Sequence, residues 1–123
     1  IRGQDKGLVS DTGAVKVRAV DLAIHLPEHV DLLKLDVEGA EYAIIRRLTE
    51  TGNIARVRNL VAEFHIKRGD MDDCLTALRQ LRAADMQVTF RAEHGSWLGD
   101  ADQTSPFDIV DRKQVLAEVY AWR

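Results

Sequence analysis

The spacing of apolar and polar residues changes several times along this chain, and each change marks an element. Residues 1–14 hold three glycines, scattered charges and no apolar period, which reads as a lead-in loop. Val15 to Val20 alternates apolar and polar side chains and predicts a short strand. Asp21 is placed to cap a brief helix running to about Leu26, and Pro27 stops it. Val30 to Val37 is a largely apolar run that ends in Glu38-Gly39; such continuity predicts a central parallel strand covered on both faces. Ala40, Ala43, Ile44 and Leu48 then fall at helical spacing, and Gly52 closes that helix. A second apolar strand runs from about Val57 to His65. Gly69-Asp70 opens a further helix, with Asp70 as its cap and Met71, Leu75, Leu78 and Leu81 as its apolar face.

After Ala84 the period becomes two. Met86, Val88 and Phe90 face one way, Gln87 and Thr89 the other. Residues 92–106 are polar, with Gly95, Gly99 and Pro106, and predict a loop. In the tail, Leu116, Glu118, Tyr120 and Trp122 alternate with Val115, Ala117, Val119 and Ala121, which predicts a strand; a helix from Asp111 to Trp122 is the competing reading. The order strand, helix, strand, helix, strand, strand gives two crossovers and a closing hairpin. It implies one α/β domain over residues 15–123 with a mixed sheet.

Composition narrows the function classes. With 46% hydrophobic and 30% charged residues, the 123-residue chain has ordinary globular composition. A net charge of −3 gives no electrostatic reason to expect nucleic acid as a partner, and the pairs Arg46-Arg47 and Lys67-Arg68 are too short to change that. No apolar run approaches the roughly 20 residues of a membrane span, so no membrane partner is expected. The single cysteine, Cys74, cannot form an internal disulfide; with no basic start or apolar stretch of a signal peptide, a cytoplasmic location is expected. The chain opens at Ile1 rather than Met, which suggests either a piece of a longer enzyme or a short independent product.

The stretch Asp31-Leu-Leu-Lys-Leu-Asp36-Val-Glu38-Gly39-Ala-Glu41 closely resembles the signature of FkbM-type methyltransferases. That family reads D-hydrophobic-L-K-hydrophobic-D-hydrophobic-E-G-A-E, and every position is met. The later Leu60-Val61-Ala62-Glu63-Phe64-His65 resembles the family's next apolar strand, which ends in a glutamate and often a histidine, and Val17 to Leu22 resembles its lead-in. The resemblance spans roughly residues 15–91. It implies a Rossmann-like methyltransferase fold and S-adenosylmethionine as cofactor. It also implies that this chain is a C-terminal half. No strand here leads through a glycine-rich turn into a helix, the feature that would cradle the cofactor. Against the family's strand order 3-2-1-4-5-7-6, the chain supplies the equivalents of 4, 5, 7 and 6, with flanking helices.

Ligands of open α/β sheets gather beyond the carboxyl ends of the strands. Asp36 and Glu38 lie at one such end, and Glu63 and His65 at what should be its neighbour. Within each pair the residues share parity and can project to one side. By resemblance, Asp36 and Glu38 are the cofactor-binding residues, with Asp36 near the methionyl end and the acceptor. Asp36, His65 and Glu63 are the candidate catalytic residues. His65 is favoured as base because imidazole changes charge near neutral pH, and Glu63 would hold the ring or the acceptor. Glu41 reads as a carboxylate complementing the helix N-terminus. The four rim residues are rich enough in oxygen to suit a cation, but their spacing is not diagnostic and no metal is assigned. His94 and Trp97 suggest an acceptor lid or an ordinary loop. His25 and His29 read as turn residues, Gly39 as a tight turn, and Cys74 as a small buried hydrophobe.

The resemblance therefore implies an O-methyltransferase domain acting on a hydroxyl of a small metabolite or sugar, with little activity alone. The alternative is a non-catalytic binding or assembly module that retains the sheet. Strand 30–37 would lack its usual neighbour, so its exposed edge predicts a homodimer or a partner subunit.

Overall fold

In the computed structural model, residues 15–67, 69–92 and 115–123 are described. Four strands form one sheet: β1 (Val30–Leu35), β2 (Val57–Ile66), β3 (Gln87–Ala92) and β4 (Val115–Trp122), in the order β1-β2-β4-β3. β1 and β2 run parallel, while β4 is antiparallel to both β2 and β3. This is the 4-5-7-6 arrangement that the resemblance implies. The tail is a strand, and the helical alternative for it is excluded over Val115–Trp122.

Two helices link these strands, α2 (Glu41–Glu50) after β1 and α3 (Met71–Ala83) after β2. They touch each other as well as β2, so both lie on one face of the sheet. Beneath them Leu35, Leu60, Ala62, Phe64, Ala117, Val119 and Ala121 are buried. The alternation in β4 is as predicted, with Ala117, Val119 and Ala121 inward. The Tyr42 ring of α2 meets Phe64 edge-on, with centroids 4.9 Å apart. The other face carries Leu32, Lys34, Asn59, Val61, Glu63, Glu118, Tyr120 and Trp122, by the same registers.

Several expectations are corrected. Residues 15–20 take no regular structure, and Val15, Val17 and Val20 are exposed; alternation makes a strand only where a neighbour supplies hydrogen bonds. β1 ends at Leu35, not Val37, and stands at the sheet edge with Leu32 60% exposed, so it is not covered on both faces. The buried line of α2 is Glu41, Ile45 and Leu48, while Ala43 is exposed. That of α3 is Cys74, Ala77 and Leu81, leaving Met71 and Leu75 exposed. Small side chains at 74 and 77 suit the close approach of α3 to α2 and the sheet. Cys74 is buried as expected, and burial pushes its thiol pKa up. Phe90 shares a side with Val88 but is exposed on this edge strand.

Asp21 does cap the short helix α1 (Leu22–His25): its carboxylate accepts from the Ala23 amide at 2.9 Å and from Arg47 Nε at 2.8 Å. Asp70 precedes α3 without capping it; its Oδ2 turns back to accept from the Lys67 amide. Gly52, at φ 74°, ends the α2 segment in the left-handed conformation that glycine adopts most readily. His25 and His29 are both exposed; His29 lies in the connection before β1 as expected, but His25 is the last residue of α1 and not a turn residue. Of the predicted loop 92–106, Ala92 belongs to β3, and the rest, with His94 and Trp97, lies outside the described residues, as does the lead-in 1–14.

Candidate active site

The site forms where β1 gives way to α2. Glu38 and Gly39 both take positive φ, 55° and 106°, which turns the chain sharply out of the sheet. Glycine tolerates that conformation; glutamate does so at a cost of about 1 kcal/mol or more. The turn is closed by Glu41. Its Oε1 accepts from the Val37 amide at 3.0 Å, and its Oε2 accepts from the Gly39 amide at 3.0 Å. The carboxylate is fully buried, and these amides with one further partner offset its desolvation.

That further partner is His65. At the carboxyl end of β2, its side chain is 4% exposed, and Nδ1 lies 3.1 Å from Glu41 Oε1. Both Glu41 oxygens already accept from N–H groups, so an ionised Glu41 requires Nδ1 to donate. In the neutral ring, Nε2 then carries the lone pair. Nε2 points toward the rim, 3.5 Å from Glu38 Oε2 and 3.6 Å from Glu63 Oε1. The Tyr42 hydroxyl donates to the His65 carbonyl at 3.4 Å, and burial pushes the Tyr42 phenol above its usual range.

The four residues singled out from sequence thus converge. Asp36, Glu38 and His65 each place a donor atom within 4.8 Å of the others, and Glu63 joins through Nε2. Asp36 is the outermost, exposed and 3.6 Å from Lys34 Nζ. Gly39 serves the tight turn expected of it. What the sequence did not disclose is that Glu41 grips the histidine. A carboxylate in a helix's first turn signals a cap, and nothing in the spacing links positions 41 and 65. A cleft of about 510 Å³ lies at the opposite end of the sheet, between Gly52, Ile54, Ala84 and Arg123, and touches none of these residues.

Compared with protein families, the chain matches the methyltransferase FkbM domain over residues 4–92, well over half its length. It belongs to the FkbM methyltransferase family. The match takes in β1, β2, β3 and both large helices of this FkbM domain, and with them every residue of the rim. No curated protein matches the chain, and no solved structure does. Among the described residues, no helix of the FkbM chain is long and apolar enough to cross a membrane.

Proposed function

We propose that this FkbM domain contributes the acceptor-side rim of an O-methyltransferase, in which His65 takes the proton of a substrate hydroxyl. The observation that carries this reading is the buried His65 ring, gripped at Nδ1 by Glu41 and open at Nε2 toward a carboxylate rim. Half-exposed Asp36 and Glu38 offer acceptors to ammonium and hydroxyl groups and complement a sulfonium charge, so they fit the methionyl end of S-adenosylmethionine. When bound, that cofactor supplies an electrophilic methyl group.

Asp36 and Glu38 hold the cationic end, and Glu63 orients the acceptor hydroxyl. With the cofactor bound, His65 Nε2 would take the proton of the acceptor hydroxyl, and Glu41 would stabilise the imidazolium so formed. Alignment and a positioned base are what such a displacement requires of a protein. The β1–α2 turn holds one glycine, Gly39, rather than a glycine-rich cradle, so the chain alone binds cofactor weakly and turns over little. The acceptor is a hydroxyl of a small metabolite or sugar.

Calorimetric titration with S-adenosylmethionine and S-adenosylhomocysteine tests the reading. Saturable binding that Asp36→Asn weakens at least tenfold supports it. No heat at millimolar ligand would overturn it and favour a non-catalytic module, a reading suggested by the edge of β1 that pairs with no strand among the described residues.

A further inference from the structure

We infer that Asp36, Glu38 and His65 form a site for a divalent first-row cation such as Mn²⁺ or Zn²⁺. The three donors come from two adjoining places, the β1–α2 turn and the end of β2, and lie within 4.8 Å of one another. Metal–ligand bonds of about 2.1 Å would draw them to roughly 3 Å separations. Asp36 and Glu38 can make that movement, because their side chains are 40% and 41% exposed.

The histidine is what distinguishes this cluster from an ordinary group of surface acids. His65 is nearly fully buried, and its Nε2 faces the carboxylates with the two nearest oxygens at 3.5 and 3.6 Å. Both distances exceed the roughly 2.7–3.2 Å of a good N–H···O bond. Among the described residues, Nε2 is therefore buried without a well-made hydrogen bond, and it faces Glu38 Oε2, which a cation would bridge to it. The opposite nitrogen is held by buried Glu41, an acceptor anchored on the Val37 and Gly39 amides. A carboxylate on the far nitrogen is the usual support of a metal-bound imidazole: it fixes the tautomer and strengthens the donor. One nitrogen and two carboxylates suit Mn²⁺ or Zn²⁺ better than Ca²⁺, which takes oxygen alone.

The site stands on these donors and not on methyl transfer, so the two readings fail separately. With an ion bound, Nε2 is a ligand and cannot also take a hydroxyl proton, so metal uptake and the base role proposed above exclude each other in one molecule. The test uses the full chain and Mn²⁺ alone, followed by loss of the free-ion electron paramagnetic resonance signal and by broadening of histidine ring protons. One Mn²⁺ per chain is expected, displaced by Zn²⁺, with His65 broadened before His25 and His29. Asp36→Asn and His65→Gln should each weaken binding at least tenfold, and Glu41→Gln about tenfold through the ring's support. Glu28→Gln, on the exposed surface, should change nothing. Should His65→Gln fail to fold, Asp36→Asn on the exposed rim still decides. Absence of uptake at millimolar Mn²⁺, or equal binding by wild type and Asp36→Asn, would overturn the site.

Discussion

Glu41 is a charged residue with no exposed surface, and its surroundings explain how that is tolerated. Two backbone amides and an imidazole converge on one carboxylate. Truncating it strands those donors in a buried space, each a loss of about 1–3 kcal/mol. Glu41→Ala should therefore lower stability by about 3 kcal/mol in urea unfolding; a loss below about 1 kcal/mol would mean that the turn and His65 do not depend on it. Glu38 presents the opposite case, a residue that its own backbone disfavours. Glu38→Gly relieves the left-handed strain but adds chain entropy to the unfolded state, so a gain of about 0.5–1 kcal/mol is expected. Stability won at the expense of rim chemistry is the trade expected where a local rule is broken for function. At this scale the sequence disclosed much. Strand parity placed Glu63 beside His65 on β2; Asp36 and Glu38 come together instead in the turn beyond the end of β1, where a period of two no longer applies. Parity could not join Glu41 to His65, since that contact depends on how a tight turn aims a helix.

The elements were legible in kind but less so in orientation. Asp21 at α1, the strand at 57–66 and the tail strand follow from caps and alternation, signals that lie within a few residues. The faces of α2 and α3 did not follow, because each helix carries apolar residues on more than one side. In α2 the expected Ala43 is exposed, and burial falls on Ile45 beside a charged Glu41 that no apolar count would include. In α3 the leucine at 75 was a stronger apolar signal than Cys74 or Ala77, yet close packing selected the small residues. The observed register makes a sharp contrast testable. Ile45→Ala should cost about 2–4 kcal/mol, as for a fully buried aliphatic side chain, whereas Ala43→Ser should stay within about 0.5 kcal/mol. Equal effects in thermal or chemical unfolding would mean that α2 sits in the other register.

At the scale of the whole molecule, the sheet is open at β1 among the described residues. That strand bonds to β2 on one side, and among the described residues no strand pairs with its other side. Leu32 lies 60% exposed on the face that α2 and α3 leave uncovered, with Val61 and Trp122 farther along it. A free strand edge beside exposed apolar side chains favours pairing with another chain. Two copies can satisfy each other by antiparallel pairing of β1 with β1 across a two-fold axis, which extends both sheets and closes the assembly at two. We therefore propose a homodimer through β1, or a partner subunit that takes the same edge. Light scattering of the full chain should show mass rising from one chain to two as concentration increases. Leu32→Lys sets a second positive charge beside Lys34 on the same face, so it should shift that transition at least tenfold toward higher concentration. A monomer throughout would remove the edge as an interface and leave this face without an assembly role. A dimer indifferent to Leu32→Lys would place the contact elsewhere, most simply along the opposite edge strand, β3.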